Sequence, residues 1–417
     1  MTAPARRILR LALAILAVGV VVGISSGLLS LLLHGFEQLA FGYVEDHSTP
    51  GAEGAPWWRR GAAVIIGGVI AAVAWWLLRR GPRAVPSVKA AVDGARMPWW
   101  QTIVHAVLQI LIVGTGAPVG REVAPRELGA LVGGWFTSAF RIDGRERAVI
   151  VAAGAGAGLA GVYNIPLAGA LFAVEILLAE LTLETAAVAL GVCAVAALVA
   201  SVVEGYEPFY VIHGATSSWS LAVFAAIFGP LFGFLGYWFS HWGAWAERRR
   251  AKGATILWLL PAASVLTAVV AIWLPEVMGN GRAVAQAGFN TADYTMIGWL
   301  VAAFLAKGVV TLVTIRSGAA GGVLTPAIAL GSSSGAAIGA LWVLLWPGSS
   351  VTAFAVVGAA ALLASSQKSP FTAIAIVFEL THASLEFLAP LGVAVGGAIL
   401  IRRLLDTRAD RIRQLDL

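Results

Sequence analysis

Apolar runs cover most of this chain, near residues 8–33, 61–78, 99–117, 129–140, 147–162, 165–180, 185–203, 218–245, 254–275, 295–315, 320–346, 351–366, 369–381 and 387–405. A helix that crosses a bilayer needs about 20 residues. Several of these runs reach that length and several fall short. Short apolar helices divided by glycine-rich breaks read as segments that stop at membrane depth. Such breaks are tolerated only where the backbone is buried in protein or lines a cavity.

Composition agrees with the pattern. Of the 417 residues, 59% are hydrophobic and 12% charged, and mean hydropathy is +0.85. A soluble domain could not hide that much apolar surface, so the fold class is an all-α polytopic membrane protein. The 48 glycines and 17 prolines fit membrane helices. Cys193 is the single cysteine, which excludes an internal disulfide. No spacing points to a metal or a cofactor. The net charge of +6 sits in short loops and indicates topology rather than nucleic-acid binding.

The run from Leu11 to Leu33 is too long for a signal peptide and reads as a retained first helix, with Arg6, Arg7 and Arg10 inside. The next loop, 34–56, carries Glu37, Glu45, Asp46 and Glu53 without Lys or Arg, which fits the outside. Arg79, Arg80, Arg83 and Lys89 then read as inside. So do Glu247–Lys252 and Arg402, Arg403, Arg408, Arg411 and Arg413. Both termini are therefore expected in the cytoplasm, with the protein in the inner (plasma) membrane.

The chain repeats internally. Pro166 and Glu175 of PLAGALFAVE match Pro370 and Glu379 of PFTAIAIVFE, 204 residues on. Gly116–Pro125 (GAPVGREVAP) likewise matches Ser317–Pro326 (SGAAGGVLTP). Two matched pairs in one order indicate a duplication, with repeats at 1–216 and 217–417 and no C-terminal regulatory domain. Repeats with broken helices point to a transporter or channel whose site lies at the repeat interface.

Within this pattern, Arg121 and Glu122 are an ionisable pair at membrane depth, a functional-site candidate by default. A small anion needs N–H donors and positive partial charge, which helix N-termini supply. Pro125 is suited to open a helix because it lacks an N–H. Glu122 then lies just ahead of the helix start, where its carboxylate can compete with an anion. Arg121 also reads as a group that holds the loop. The second-half loop has no ionisable group; it would contribute the backbone amides of Gly322, Val323, Leu324 and Thr325, with Pro326 opening the next helix. Pro166 could start a third such helix.

Four motifs together resemble the CLC family of chloride channels and chloride/proton antiporters: GREVAP, AGAGAGLAGVYNIPLAGALFAVE (153–175), SGAAGGVLTPAIALG (317–331) and SPFTAIAIVFELT (369–381). The resemblance covers roughly residues 8–400. It implies an inverted repeat of about 18 tilted, partly broken helices and a homodimer with one anion pathway per subunit. It makes Glu122 the external gate. It puts Arg121, Glu122, Val123, Gly322, Val323, Leu324 and Thr325 around the anion, with backbone N–H groups of Val323 and Leu324 on the central ion. Partners are then chloride or another small anion, protons in coupled members, and the bilayer.

Four departures bear on mechanism. Val123-Ala124 stand where the family has Gly-Pro, which can shift the helix start. Ile176 occupies the position of the internal proton-transfer glutamate of coupled members. Arg83, in Pro82-Arg83-Ala84-Val85-Pro86, falls where the family has an anion-contacting serine; it reads as a vestibule charge or as a topology signal. The late tyrosine has no counterpart after Leu405. Chloride is the default ion, fluoride or another anion an alternative, and passive conduction and proton-coupled exchange both remain open.

The other polar residues have simpler readings. Glu175 and Glu379 are expected to cap or bond neighbouring helices, and Lys307 to snorkel or pair with a carboxylate. The Trp pairs 57–58, 75–76 and 99–100 read as interfacial belts, and Asn280 as a turn. An intramembrane serine hydrolase is the competing class, since Gly331-Ser-Ser-Ser-Gly335 matches G-x-S-x-G. Its strand-to-helix context is missing, so no enzyme is expected.

Overall fold

The computed structural model describes residues 3–81 and 84–415, and Arg83 lies outside the described residues. Among the described residues there are sixteen α-helices and no strand. The first half holds α1 (Ala3–Phe41), α2 (Trp57–Arg80), α3 (Val88–Val92), α4 (Trp99–Gly114), α5 (Val123–Ala139), α6 (Gly144–Tyr163), α7 (Pro166–Leu171) and α8 (Leu183–Glu204). The second holds α9 (Trp219–Arg248), α10 (Ile256–Val270), α11 (Arg282–Asn290), α12 (Ile297–Arg316), α13 (Leu324–Leu345), α14 (Val351–Gln367), α15 (Pro370–Thr381) and α16 (Leu388–Leu415). Eight helices among the described residues are long and apolar enough to span a bilayer. Each apolar run of the sequence falls on one helix. The short α3 and the polar α11 have no apolar run to announce them, and the described helices number fewer than the expected 18.

The core is built on the small-residue helices α6 and α14, buried from Val149 to Tyr163 and from Val351 to Ser366. Glycines let their neighbours in. A Cβ on Gly129 of α5 would run into the Gly154 carbonyl oxygen of α6, and one on Gly331 of α13 would meet the Gly358 carbonyl of α14 at 2.5 Å. Backbones this close are held by van der Waals contact rather than by hydrophobic transfer, since lipid is as apolar as the core.

The two halves are inverted. Before α5, Gly116 accepts from Gly279 N–H at 3.0 Å, on the face of the loops that follow α1 and α10. Before α13, Arg79 donates to the Gly318 carbonyl at 2.8 Å and Arg250 to that of Ala319 at 3.1 Å, on the opposite face. α5 and α13 thus enter from opposite faces and bring their N-termini together at mid-depth.

Reciprocal carboxylates show the same relation. Glu175 accepts from the Phe371 and Thr372 N–H groups at 3.2 and 2.7 Å, and from the Thr372 hydroxyl at 2.6 Å. Glu379 accepts from the Leu167 and Ala168 N–H groups at 3.1 and 2.7 Å. Each carboxylate closes the first turn of the other half's proline-led helix, where free N–H groups and the dipole favour an anion. The α7 N-terminus is therefore occupied by Glu379, contrary to the expectation that it points at a transported ion. Glu175 and Ile176 lie on a π-helical turn, Phe172–Leu178, that continues α7.

Two simpler expectations are corrected, for Lys307 and Trp75. Lys307 is fully buried and donates to the Val277 and Gly279 carbonyls at 2.8 and 2.7 Å, without snorkelling and without a direct ion pair among the described residues. Trp75 is core rather than belt, whereas Trp57, Trp58, Trp99 and Trp100 are exposed. Ser332, Ser333 and Ser334 spend their hydroxyls on carbonyls of their own helix.

Candidate functional site

The loops ahead of α5 and α13 meet through one antiparallel bridge. Gly120 and Gly322 each donate to the other's carbonyl at 2.8 Å. Glycine at both positions leaves room for the Glu122 side chain, which folds back over the bridge; a Cβ at either would overlap its carboxylate.

Glu122 is fully buried. It is the N-cap of α5, yet its side chain does not cap α5. Instead Oε1 accepts from the Leu324 N–H at 2.7 Å and Oε2 from the Thr325 hydroxyl at 3.3 Å, at the start of α13. The carboxylate of one half thus rests on the helix N-terminus of the other. Arg126 Nε fixes the loop by donating to the Glu122 carbonyl at 2.7 Å. Despite the Val123-Ala124 departure, α5 starts directly after Glu122, with Pro125 third. α13 has the same form, with Pro326 third after Val323. A third-position proline costs no hydrogen bond, since that N–H has no intrahelical partner.

Two cavities lie near the bridge, one lined by Glu122 and the other by its neighbour Arg121. One, of about 320 Å³, is lined by Glu122, Val123, Arg126, Gly322, Val323 and Leu324, and extends to Glu247, Ser366 and Gln367. The other, of about 290 Å³, lies toward the opposite face and is lined by Arg121, Tyr163, Glu37, Glu45, Glu204 and Arg282.

Arg121 therefore parts from the other candidates. The two side chains leave the turn ahead of α5 toward different cavities. While Glu122 turns to α13, the Arg121 guanidinium lies 4.9 Å from the Tyr163 ring centre and donates to the Val162 carbonyl at 3.2 Å. It is a loop-holding cation facing the second cavity. Of the expected set, Glu122, Val123, Gly322, Val323, Leu324 and Thr325 come together.

Sequence reasoning did not single out Tyr163 or Arg282. The buried Tyr163 hydroxyl lies beside Arg121 and Thr325. The signal for Tyr163 was its place before Asn164, the left-handed C-cap of α6 (φ 53°), which ends that helix beside the loops. Glu45, in the loop after α1, is held well above the usual carboxylate range by burial and by the Glu37 charge, against the pull of Arg282.

A buried carboxylate on a helix N-terminus beside a cavity, in an inverted repeat of broken helices, points to a membrane transport protein. The family model for the voltage gated chloride channel matches residues 67–403. The chain belongs to that family, whose members are transporters rather than enzymes, and its function is transmembrane anion transport. Among solved structures it is similar to a slow cyanobacterial Cl⁻/H⁺ antiporter, with a TM-score of 0.79, 22% identity and 95% of each chain covered. It is also similar to a CLC-type fluoride/proton antiporter, with a TM-score of 0.75, 21% identity and 96% and 97% covered. A eukaryotic CLC transporter has a TM-score of 0.75 and 20% identity, covering 95% of this chain and 72% of that one.

Proposed function

We propose that the chain carries chloride across the inner membrane by a pathway between its two repeats, 1–216 and 217–417, and that Glu122 gates it. The observation that carries this reading is the Glu122 carboxylate on the Leu324 N–H and Thr325 hydroxyl. Those donors sit on a positive helix end and would serve a chloride ion equally well. Carboxylate and ion compete for one place. Protonation removes the carboxylate's charge and frees the donors, while the Val323 and Leu324 amides receive the ion arriving along the cavity that Glu122 closes.

Both termini face the cytoplasm in this reading, the Glu247 side of the pathway is cytoplasmic, and the protein is a homodimer with one pathway per chain. Transport without obligatory proton exchange is favoured over coupled exchange of chloride or fluoride, because Ile176 cannot carry a proton. The test is flux from liposomes loaded with chloride, fluoride or nitrate, with external pH recorded. The expectation is that chloride dissipates its gradient and that Glu122→Gln alters the rate and its pH response. Uphill proton movement driven by a chloride gradient would refute the uncoupled reading.

A further inference from the structure

Away from the anion pathway, a cavity of about 730 Å³ opens between α3, the end of α5 and the start of α6. It lies on the face assigned above to the cytoplasm. Arg96, Arg141 and Arg147 line it, and Asp143 is the single carboxylate among its lining residues. Arg147 is fixed by donating to the Ala91 carbonyl of α3 at 3.0 Å. Arg96 and Arg141 make no side-chain hydrogen bond or ion pair among the described residues. Arg141 is held in the left-handed region (φ 51°) in the turn between α5 and α6. At that turn the 20-residue α6 begins, and Asp143, its N-cap, makes no capping bond with its side chain. Two unpaired guanidiniums, a fixed third and an uncapped helix N-terminus thus share one cavity. Guanidiniums match phosphate oxygens in a two-pronged geometry, and a helix N-terminus adds N–H donors to the same anion.

The cavity's other wall is apolar. Trp135 lines it while 49% exposed, Phe140 directly precedes Arg141, and exposed Trp99 and Trp100 follow the lining residue Met97. Exposed tryptophans of this kind sit at headgroup depth in a bilayer. A free phosphate would use the arginines and gain nothing from the tryptophans. A phospholipid would use both.

We propose that this cavity binds the phosphate of an anionic phospholipid of the cytoplasmic leaflet. The guanidiniums of Arg96 and Arg141 hold the phosphate oxygens, and the acyl chains lie along Trp135. Basic pockets beside membrane helices on the cytoplasmic side take headgroups of this class.

The test uses full-length protein reconstituted in mixed phosphatidylglycerol and phosphatidylcholine, re-extracted, and weighed by native mass spectrometry. Wild type is expected to retain phosphatidylglycerol in preference to phosphatidylcholine. Arg96→Gln/Arg141→Gln is expected to lower that occupancy about tenfold or more. Arg403→Gln/Arg408→Gln, which removes exposed charges elsewhere on the same face, should retain lipid as wild type does. If the double variant misfolds, Arg96→Gln alone, at an exposed position, should still lower occupancy about threefold. Three results would overturn the proposal: undiminished retention in the Arg96 variants, equal loss in the Arg403/Arg408 control, or displacement of the lipid by millimolar inorganic phosphate, which marks a soluble-anion site.

Discussion

Substituting Glu122 by Gln tests the gate with almost no change of shape. The carboxylate makes one charge-assisted bond, to the Leu324 N–H at 2.7 Å, and one longer bond from the Thr325 hydroxyl at 3.3 Å. Hydrogen bonds to a charged group contribute about 1.5–3 kcal/mol, and neutral ones about 0.5–1.5 kcal/mol. The helix end adds roughly 0.3–1 kcal/mol for an anion and little for an amide. Glutamine can still accept from Leu324 and can turn its NH₂ toward the Thr325 oxygen. The hold on the side chain therefore weakens by about 1–2 kcal/mol, which is roughly 5- to 30-fold in the probability of displacement. Chloride efflux from liposomes should rise by about that factor at neutral pH. Wild-type efflux should increase as pH falls, while the variant, already uncharged, should show a flat profile. Unchanged efflux together with the wild-type pH response would refute the assignment.

Gly322→Ala should act on the same gate from outside it. Its methyl group overlaps the Glu122 carboxylate, so the side chain must leave α13, and efflux should lose its pH response in a protein that still folds. Glu379→Gln should lower stability by about 1–2 kcal/mol, because neutral acceptors replace charged ones at the Leu167 and Ala168 N–H groups; thermal unfolding in detergent reads this, with chloride selectivity unchanged. Glu45 gives a pH prediction. Its carboxyl is raised in the folded state, so the folded protein binds the extra proton, and stability falls as pH rises from the ordinary carboxylate range through the raised value. Glu45→Gln should flatten that part of the melting-temperature profile, and a profile parallel to wild type would contradict the burial argument.

Much of the site was legible in sequence because the chemistry sits in two short, matched strings. GREVAP and GGVLTP put a carboxylate and a set of amides at equivalent places in the two halves, and the inverted fold brings equivalent places together. Hydropathy located each long helix for the same reason: lipid demands the same apolar length everywhere. What was not legible depends on direction rather than identity. Arg121 and Glu122 are neighbours in sequence yet line different cavities, because the chain turns into α5 between them. Lys307 resembles a snorkelling residue in any helical plot, and only the fold supplies the Val277 and Gly279 carbonyls that hold it. Trp75 and Trp76 are adjacent, but a helix sends them to different sides.

The Gly120–Gly322 bridge also sets an order on biogenesis. Its partners are 202 residues apart, so it cannot form until the second half has been synthesised and inserted. Until then, a chain emerging from the ribosome has α5 and its glutamate but lacks the helix end that will neutralise it. Contacts of such separation close late and slowly. Glu122 is left uncompensated at membrane depth in the half-made protein, a state that quality-control proteases can recognise. The glycine pair is thus a latch that can close only once the second half's loop is in place.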